Sequence, residues 1–365
     1  MHFQKHGFIT TPKHYIFNQQ QKVNKAEVRK CHAFVNAFHV VCSKTDKTEH
    51  CMKYTLTILS LFLVNVCFSQ NGKIISREKI SITDDVITAT KNFLPQIVDS
   101  ISHVDYYKIT YLSDGLKVKG YICIPNGGEK FPCLIFNRGG SREFSKIDTY
   151  QMLGYMGVIS SWGYIVVGSQ YRGNDGGEGK EEFGGKDVDD VMNLIPLLSF
   201  IPSADTSRMG IYGVSRGGMM TYKALTKTNR FKAAISISGS ADEVQGMKDR
   251  PEFDSLYLEL VPGYKNNKLG ALKERSAFYF AEQMSKTTPI LVLQGTADWR
   301  VPTNEVLPLV NKLYTLKHPV RFSLFEGGSH GIMEYIDEMY RQMKLFFDDY
   351  VKEGKQWPSL EPHGN

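Results

Sequence analysis

The chain has 365 residues, a formal net charge of +6, 42% hydrophobic residues and six cysteines. Residues 1–51 hold eight Lys/Arg against three Asp/Glu and Lys53 supplies the remaining unit, so residues 70–365 balance to zero. A neutral folded part lacks the clustered basic face that nucleic-acid backbones require, and the absence of HExxH or paired CxxC spacing leaves a metallohydrolase without ligands. No metal or organic cofactor is implied.

At the N-terminus, Met52-Lys53-Tyr54 opens an apolar run over 56–68 that closes on Cys67-Phe68-Ser69-Gln70. Small residues, Cys67 and Ser69, occupy the −3 and −1 positions of a cleavage site, and the run is too short for a comfortable membrane span. Residues 52–69 therefore read as a secretory signal peptide, which predicts a periplasmic or extracellular protein with no stable membrane insertion after cleavage. A signal peptide is not compatible with 51 polar residues ahead of it. Residues 1–51 are predicted to be a disordered upstream extension foreign to the native protein, with Met52 as the start; a genuine extension ahead of an internal signal anchor is the alternative. Lipoprotein processing at Cys67 is disfavoured by Val66, which is larger than such sites prefer.

Residues 70–103 read as an N-terminal helical segment, because apolar residues recur at helical spacing over 84–101. Two alternating runs, 106–111 and 116–124, flank Ser113-Asp114-Gly115 and predict a hairpin. Strand–helix alternation follows, with strands at 131–136, 164–169, 209–212, 233–238, 289–293 and 320–325. Continuous apolar strands of this kind belong to an α/β fold with a mostly parallel central sheet and helices on both faces. Residues 241–287 are too long for a simple crossover and predict a helical, cap-like insertion before the 289–293 strand, placed to contact substrate. A catalytic domain over 104–352 and a C-terminal tail over 353–365 complete the expected organisation.

The most specific chemistry lies at Gly213-Val214-Ser215-Arg216-Gly217, between a predicted strand and a predicted helix. A serine on a sharp strand-to-helix turn exposes its hydroxyl above the sheet, and Gly213 and Gly217 are needed because the turn brings backbones too close for a Cβ. Serine needs a base, and the base needs an acid. Ten histidines occur, six of them before residue 51. Of the rest, His103 precedes the first strand, His318 lies in a helix-to-strand connection and His363 is terminal. Only His330 follows an apolar strand, in Glu326-Gly327-Gly328-Ser329-His330-Gly331. Asp298 follows the 289–293 strand in Gly295-Thr296-Ala297-Asp298; alone it would read as a turn or N-cap residue. The order Ser215, Asp298, His330, each after its own strand, is that of α/β-hydrolases. An oxyanion hole requires N–H donors. The N–H of Arg216 is one candidate; the loop Asn137-Arg138-Gly139-Gly140-Ser141 offers Gly139 or Gly140 as the other.

These residues resemble the catalytic domain of the prolyl-oligopeptidase-like serine peptidases, within the α/β-hydrolase superfamily, over about residues 104–351. The resemblance also rests on Tyr171-Arg172-Gly173-Asn174 with Gly176 and Gly177, on the 187–190 helix start, and most specifically on Gly295-Thr296-Ala297-Asp298-Trp299-Arg300-Val301-Pro302. Ser276 to Met284 is similar to the family's lead into the acid strand, with Ala277 where proline is usual. Arg138-Gly139-Gly140-Ser141 departs from the family's usual His-Gly-Gly-Pro or tyrosine oxyanion loop, which leaves backbone, the Arg138 side chain or a group not identified in the sequence as second donor. No pattern for the size-screening β-propeller of large members is visible. The fold also places another strand between those of Cys123 and Cys133, which implies two reduced, buried thiols.

The resemblance implies cleavage of peptide or amide bonds in small substrates through an acyl-enzyme. A carboxylesterase acting on short acyl or carbohydrate esters is the alternative, since both reactions share one intermediate. A non-catalytic binding protein on a hydrolase scaffold is a third reading. Expected substrate contacts are Arg138, Tyr171, Tyr257 and Trp299. The oligomeric state is not legible in the sequence.

Overall fold

The computed structural model describes residues 70–362, apart from Leu94 and Glu129. The predicted extension at 1–51 and signal peptide at 52–69 lie outside the described residues. Nine strands form one sheet: β1 (Ile74–Ile80), β2 (Val104–Ser113), β3 (Leu116–Pro125), β4 (Phe131–Asn137), β5 (Ile165–Ser169), β6 (Ala204–Val214), β7 (Phe231–Ile237), β8 (Ile290–Gly295) and β9 (Val320–Phe325). Their order is β1-β2-β3-β5-β4-β6-β7-β8-β9. The pairs β1–β2, β2–β3 and β3–β5 are antiparallel, and every pair from β5 to β9 is parallel. The carboxyl ends of β4, β6, β8 and β9 therefore share one edge of the sheet, where open α/β sheets place their sites.

The alternation along each strand divides the core into two layers. Cys133 and Ile135 of β4, and Ile290 and Val292 of β8, face one layer; Leu134 and Phe136, and Leu291 and Leu293, face the other. The first layer is closed by α2 (Asp187–Met192), α3 (Arg216–Leu225) and α7 (Thr303–Thr315), through residues such as Val188, Met219 and Leu309. The second is closed by α8 (Ile336–Phe347), which buries Met339, Met343, Phe346 and Phe347. The predicted α/β-hydrolase sheet with helices on both faces is present.

Asp114 and Gly115, both at positive φ, make the two-residue turn joining β2 and β3, with Ser113 paired to Leu116. Between β7 and β8 run α4 (Glu243–Asp249), α5 (Phe253–Leu260) and α6 (Lys268–Lys273), the predicted helical insertion. The 70–103 segment is not wholly helical: α1 (Asp84–Phe93) is preceded by β1, which extends the sheet beyond the predicted first strand. The described part of the C-terminal tail, 353–362, is docked at Trp357, whose ring packs 5.3 Å from Tyr350 and 6.2 Å from Phe346. Cys123 on β3 and Cys133 on β4 are free and buried, with β5 between them, as the fold implied. Burial pushes the Cys133 thiol up to about 12, and Cys123 is raised by the same cause. Among the described residues no helix is long and apolar enough to cross a membrane.

Candidate active site

Ser215 stands between the end of β6 and the start of α3, at φ 58° and ψ −125°. A non-glycine residue at positive φ costs energy and is kept only where the surroundings hold it. Here the Ser215 N–H donates to Ile237 O at 2.9 Å, and the Gly218 N–H donates to Ser215 O at 2.8 Å. A Cβ on Gly213 would lie 2.1 Å from Gly217 O, and one on Gly217 would lie 1.9 Å from Asn137 O. Both positions admit only glycine.

The acid and base candidates come together past β8 and β9. The His330 Nδ1–H donates to Asp298 Oδ2 at 2.8 Å, and the other carboxylate oxygen, Oδ1, accepts the N–H groups of Arg300 at 2.8 Å and Val301 at 3.0 Å. Burial opposes the Asp298 charge, but the His330 contact and these N–H groups outweigh it and hold the carboxyl below its ordinary range. The two loops are joined directly. The Thr296 N–H donates to Phe325 O at 2.9 Å, the Ala297 N–H to Gly328 O at 3.0 Å, and a Cβ on Gly295 would fall 2.2 Å from Gly328 O.

Gly139 follows β4, whose Asn137 is in register with Gly213 of β6. That register sets the loop against the elbow: a Cβ on Gly139 would sit 3.2 Å from Ser215 Cβ. Gly140 has φ 63°, and its Cβ would meet Phe144 O at 2.3 Å. Ser215, Arg216, His330, Gly139 and Gly140 all line one cavity of about 380 Å³. Its far wall comes from the insertion and the acid loop, through Glu243, Met247, Arg250, Phe253, Leu256, Arg300 and Glu305.

Three expected substrate contacts are corrected. Arg138 is fully buried. Its guanidinium donates to the carbonyls of Gln170, Gly139, Phe144 and Arg142, which commits all its N–H groups. It can serve neither substrate nor oxyanion, and instead folds the 139–145 loop. Tyr171 is also fully buried, and its hydroxyl donates to Arg138 O at 3.0 Å. Tyr257 is enclosed between Phe183 and Tyr264, with ring centroids at 5.2 and 5.3 Å. Trp299 is the opposite case: it is 67% exposed, outside the cavity lining, and stacks on Arg300 at 4.8 Å.

Two carboxyls in the cavity wall carried no sequence signal. Glu305, on α7, is buried, and its Oε1 accepts from Ser240 Oγ at 2.7 Å and from the N–H groups of Ala241 and Asp242 at 2.8 and 3.1 Å. Burial, then the neighbouring Glu243 carboxyl, push Glu305 from the ordinary 4.5 up to about 8. A raised carboxyl holds its proton in the folded protein where the unfolded chain has lost it. The resulting stability is fully present below pH 4.5 and is lost as pH rises toward 8. Glu305→Gln is neutral throughout and is expected to flatten this decline, read as the urea midpoint at pH 5 and pH 8; equal slopes in variant and wild type would show that Glu305 ionises normally. Among the described residues no group of three or more His, Cys, Asp or Glu is placed to hold a metal ion.

A mostly parallel sheet with a serine elbow after β6 and hydrogen-bonded Asp and His side chains after β8 and β9 defines an α/β-hydrolase. The chain belongs to the prolyl oligopeptidase family, whose model matches residues 151–354, and is thus of the serine-type peptidase class. It is 28% identical over 230 residues to the peptidase YtmA of Bacillus subtilis, covering 62% of this chain and 87% of that protein. To the peptidase YuxL of the same organism it is 29% identical over 232 residues, covering 60% of this chain and 34% of that one. Among solved structures, a puromycin-hydrolyzing peptidase of Mycobacterium tuberculosis superposes with a TM-score of 0.56 at 28% identity, over 68% of this chain and 39% of that chain. Pyrococcus horikoshii acylaminoacyl peptidase superposes with a TM-score of 0.60 at 24% identity, over 73% and 45%, a likeness of fold. The chain thus spans well under half the length of several peptidases it resembles, and most of the length of YtmA.

Proposed function

We propose that this chain is an exported serine peptidase that cleaves amide bonds of small peptides with Ser215 as nucleophile, His330 as base and Asp298 as the acid that orients it. The observation that carries this reading is the 2.8 Å His330–Asp298 contact beside a cavity that also presents Ser215 on its strained turn. With Nδ1–H given to Asp298, the other ring nitrogen, Nε2, carries the free lone pair. Nε2 takes the Ser215 proton as Oγ attacks the scissile carbonyl carbon, and the oxyanion is held by the N–H of Arg216 and of Gly139 or Gly140. His330 returns the proton to the leaving amine. Water, deprotonated by His330, then attacks the acyl-serine ester, releasing the acid and restoring Ser215.

The cavity, at about 380 Å³, lies toward the small end of ligand sites, which run from about 300 to 1,000 Å³. Its apolar lining by Met247, Phe253 and Leu256 beside Arg250 and Arg300 suits a short peptide segment. Export rests on the 52–69 pattern. One experiment addresses chemistry and location together: fluorophosphonate labelling of fractionated cells expressing the full chain, with Ser215→Ala as control. The expected result is a labelled protein in the exported fraction that begins at Gln70. No labelling of intact wild type would sink the nucleophile assignment, and a label confined to the cytosol would sink export. Purified enzyme turning over aminoacyl and peptidyl amides supports the peptidase; ester turnover without amide cleavage would defeat it.

A further inference from the structure

The side chain of Arg216, 3% exposed, is held within the protein beside the cavity that the residue lines. Its guanidinium lies 4.9 Å from the Tyr171 ring centroid and 4.6 Å from that of Phe183. It donates to Gly140 O at 2.9 Å, to Glu181 Oε2 at 2.5 Å, and to Asp187 Oδ2. Glu181, also 3% exposed, uses its other oxygen, Oε1, to accept the backbone N–H of Arg142. One guanidinium and one carboxylate thus grip the loop at Gly140 and Arg142, while the guanidinium is rooted in the turn that carries Ser215. Buried charges survive only when paired and hydrogen-bonded. Two cations, Arg138 and Arg216, stand here with two anions, Glu181 and Asp187, all buried.

The joined segments are the two sources of the oxyanion donors. Such donors act only if both reach about 2.7–3.1 Å from the developing oxygen. The diglycine gives the 139–140 backbone freedom to miss that distance. Arg138 holds this loop through the carbonyls of Gly139, Arg142 and Phe144, while the Arg216 guanidinium ties it to the elbow, directly at Gly140 O and through Glu181 at the Arg142 N–H.

We propose that Glu181 and the side chain of Arg216 are positioning residues for the oxyanion hole, fixing the Gly139–Gly140 backbone at its working distance from the Arg216 N–H. They therefore act on the chemical step and not on substrate affinity. The inference rests on the serine-peptidase reading above. Glu181→Gln isolates the carboxylate arm of the clamp: the amide oxygen can still accept from Arg142 N–H, the amide NH₂ then faces the guanidinium donor to donor, and Arg216 keeps Asp187 and Gly140 O. Arg216→Lys is a second variant that retains the buried positive charge but cannot reach Gly140 O and both carboxylates together.

The experiment measures kcat and KM on a peptide amide, melting temperature, and inhibition by a peptide boronic acid and by a product peptide. The boronate forms a tetrahedral adduct on Ser215 with an oxygen in the oxyanion hole; the product does not. Both variants are expected to lose roughly 10- to 100-fold in kcat, less than the about 10²–10³ typical of deleting a donor outright. KM and product inhibition should stay within about twofold, and boronate affinity should fall by the same factor as kcat/KM. A folded Glu181→Gln enzyme with wild-type kcat/KM, or one whose loss of kcat leaves boronate binding intact, overturns the clamp alone. A wild-type protein that neither binds the boronate nor takes the fluorophosphonate label overturns the underlying serine reading, and this one with it.

Discussion

Replacing His330 with alanine is expected to lower kcat about 10⁶-fold, and replacing Asp298 with asparagine about 10⁴-fold. The difference follows from what each group does. In the proposed mechanism His330 moves the proton at every step, so its loss leaves only binding and the oxyanion donors. Asp298 there selects a tautomer. Its Oδ1 accepts two backbone N–H groups, from Arg300 and Val301, and an asparagine would keep its carbonyl oxygen there. The amide NH₂ would then face His330 Nδ1, which must become an acceptor, and the ring proton would move to Nε2. That nitrogen could no longer take the proton of Ser215. Fold and substrate affinity should be preserved, since the loop contacts survive. The check is kcat and KM with the melting temperature recorded alongside; an Asp298→Asn enzyme within tenfold of wild type would show that the 2.8 Å contact does not set the tautomer.

The second large effect is structural. Gly217→Ala would place a methyl carbon 1.9 Å from Asn137 O, a backbone atom held in the central pair of β4 and β6. Neither partner can move without breaking the sheet register or unwinding the start of α3. The cost is expected to exceed about 4 kcal/mol, a fall in melting temperature of roughly 10 °C or more for a domain of this size. Gly263→Ala is the informative contrast. Gly263 has φ 74° but nothing within 4 Å of its Cβ position, so only the left-handed strain remains, about 1–2 kcal/mol. If the two variants melted alike, steric exclusion at the elbow would not be what reserves position 217 for glycine.

The residues legible in the sequence share one property. Ser215 and Asp298 each follow an apolar run that forms a buried strand and His330 follows the alternating edge strand β9, so their place at one edge of the sheet follows from the strand–helix alternation. β1 was not legible because it is an edge strand whose Ser76, Arg77, Glu78 and Lys79 are exposed; with one paired side, it carries no apolar face to announce itself. Arg138 lies in the loop after β4, Tyr171 in the Tyr171-Arg172-Gly173-Asn174 motif and Tyr257 in the insertion, each near the carboxyl edge of the sheet in the chain's order, which makes them expected substrate contacts. Whether such a side chain points into a cavity or beneath it depends on loop geometry, which residue type does not encode. Glu181 carries no signal of its own within Gly179-Lys180-Glu181-Glu182, and only the fold brings Arg142 and Arg216 to it. Glu243 and Glu305 lie 62 positions apart in the chain and become neighbours only when α7 packs beneath the insertion.

The backbone seam between the loops of Asp298 and His330 divides the cavity into unlike halves. Hydrogen bonds from Thr296 and Ala297 cross it to Phe325 and Gly328, so acid and base travel as a single body and their separation is insulated from whatever occupies the opposite wall. That wall, contributed by α4 and α5 through Met247, Phe253 and Leu256, meets the acid loop where the Arg250 guanidinium donates to Arg300 O at 2.7 Å. Selection can therefore remodel its apolar residues for new substrates, so long as Arg250 keeps its place, without first retuning the Asp298–His330 pair.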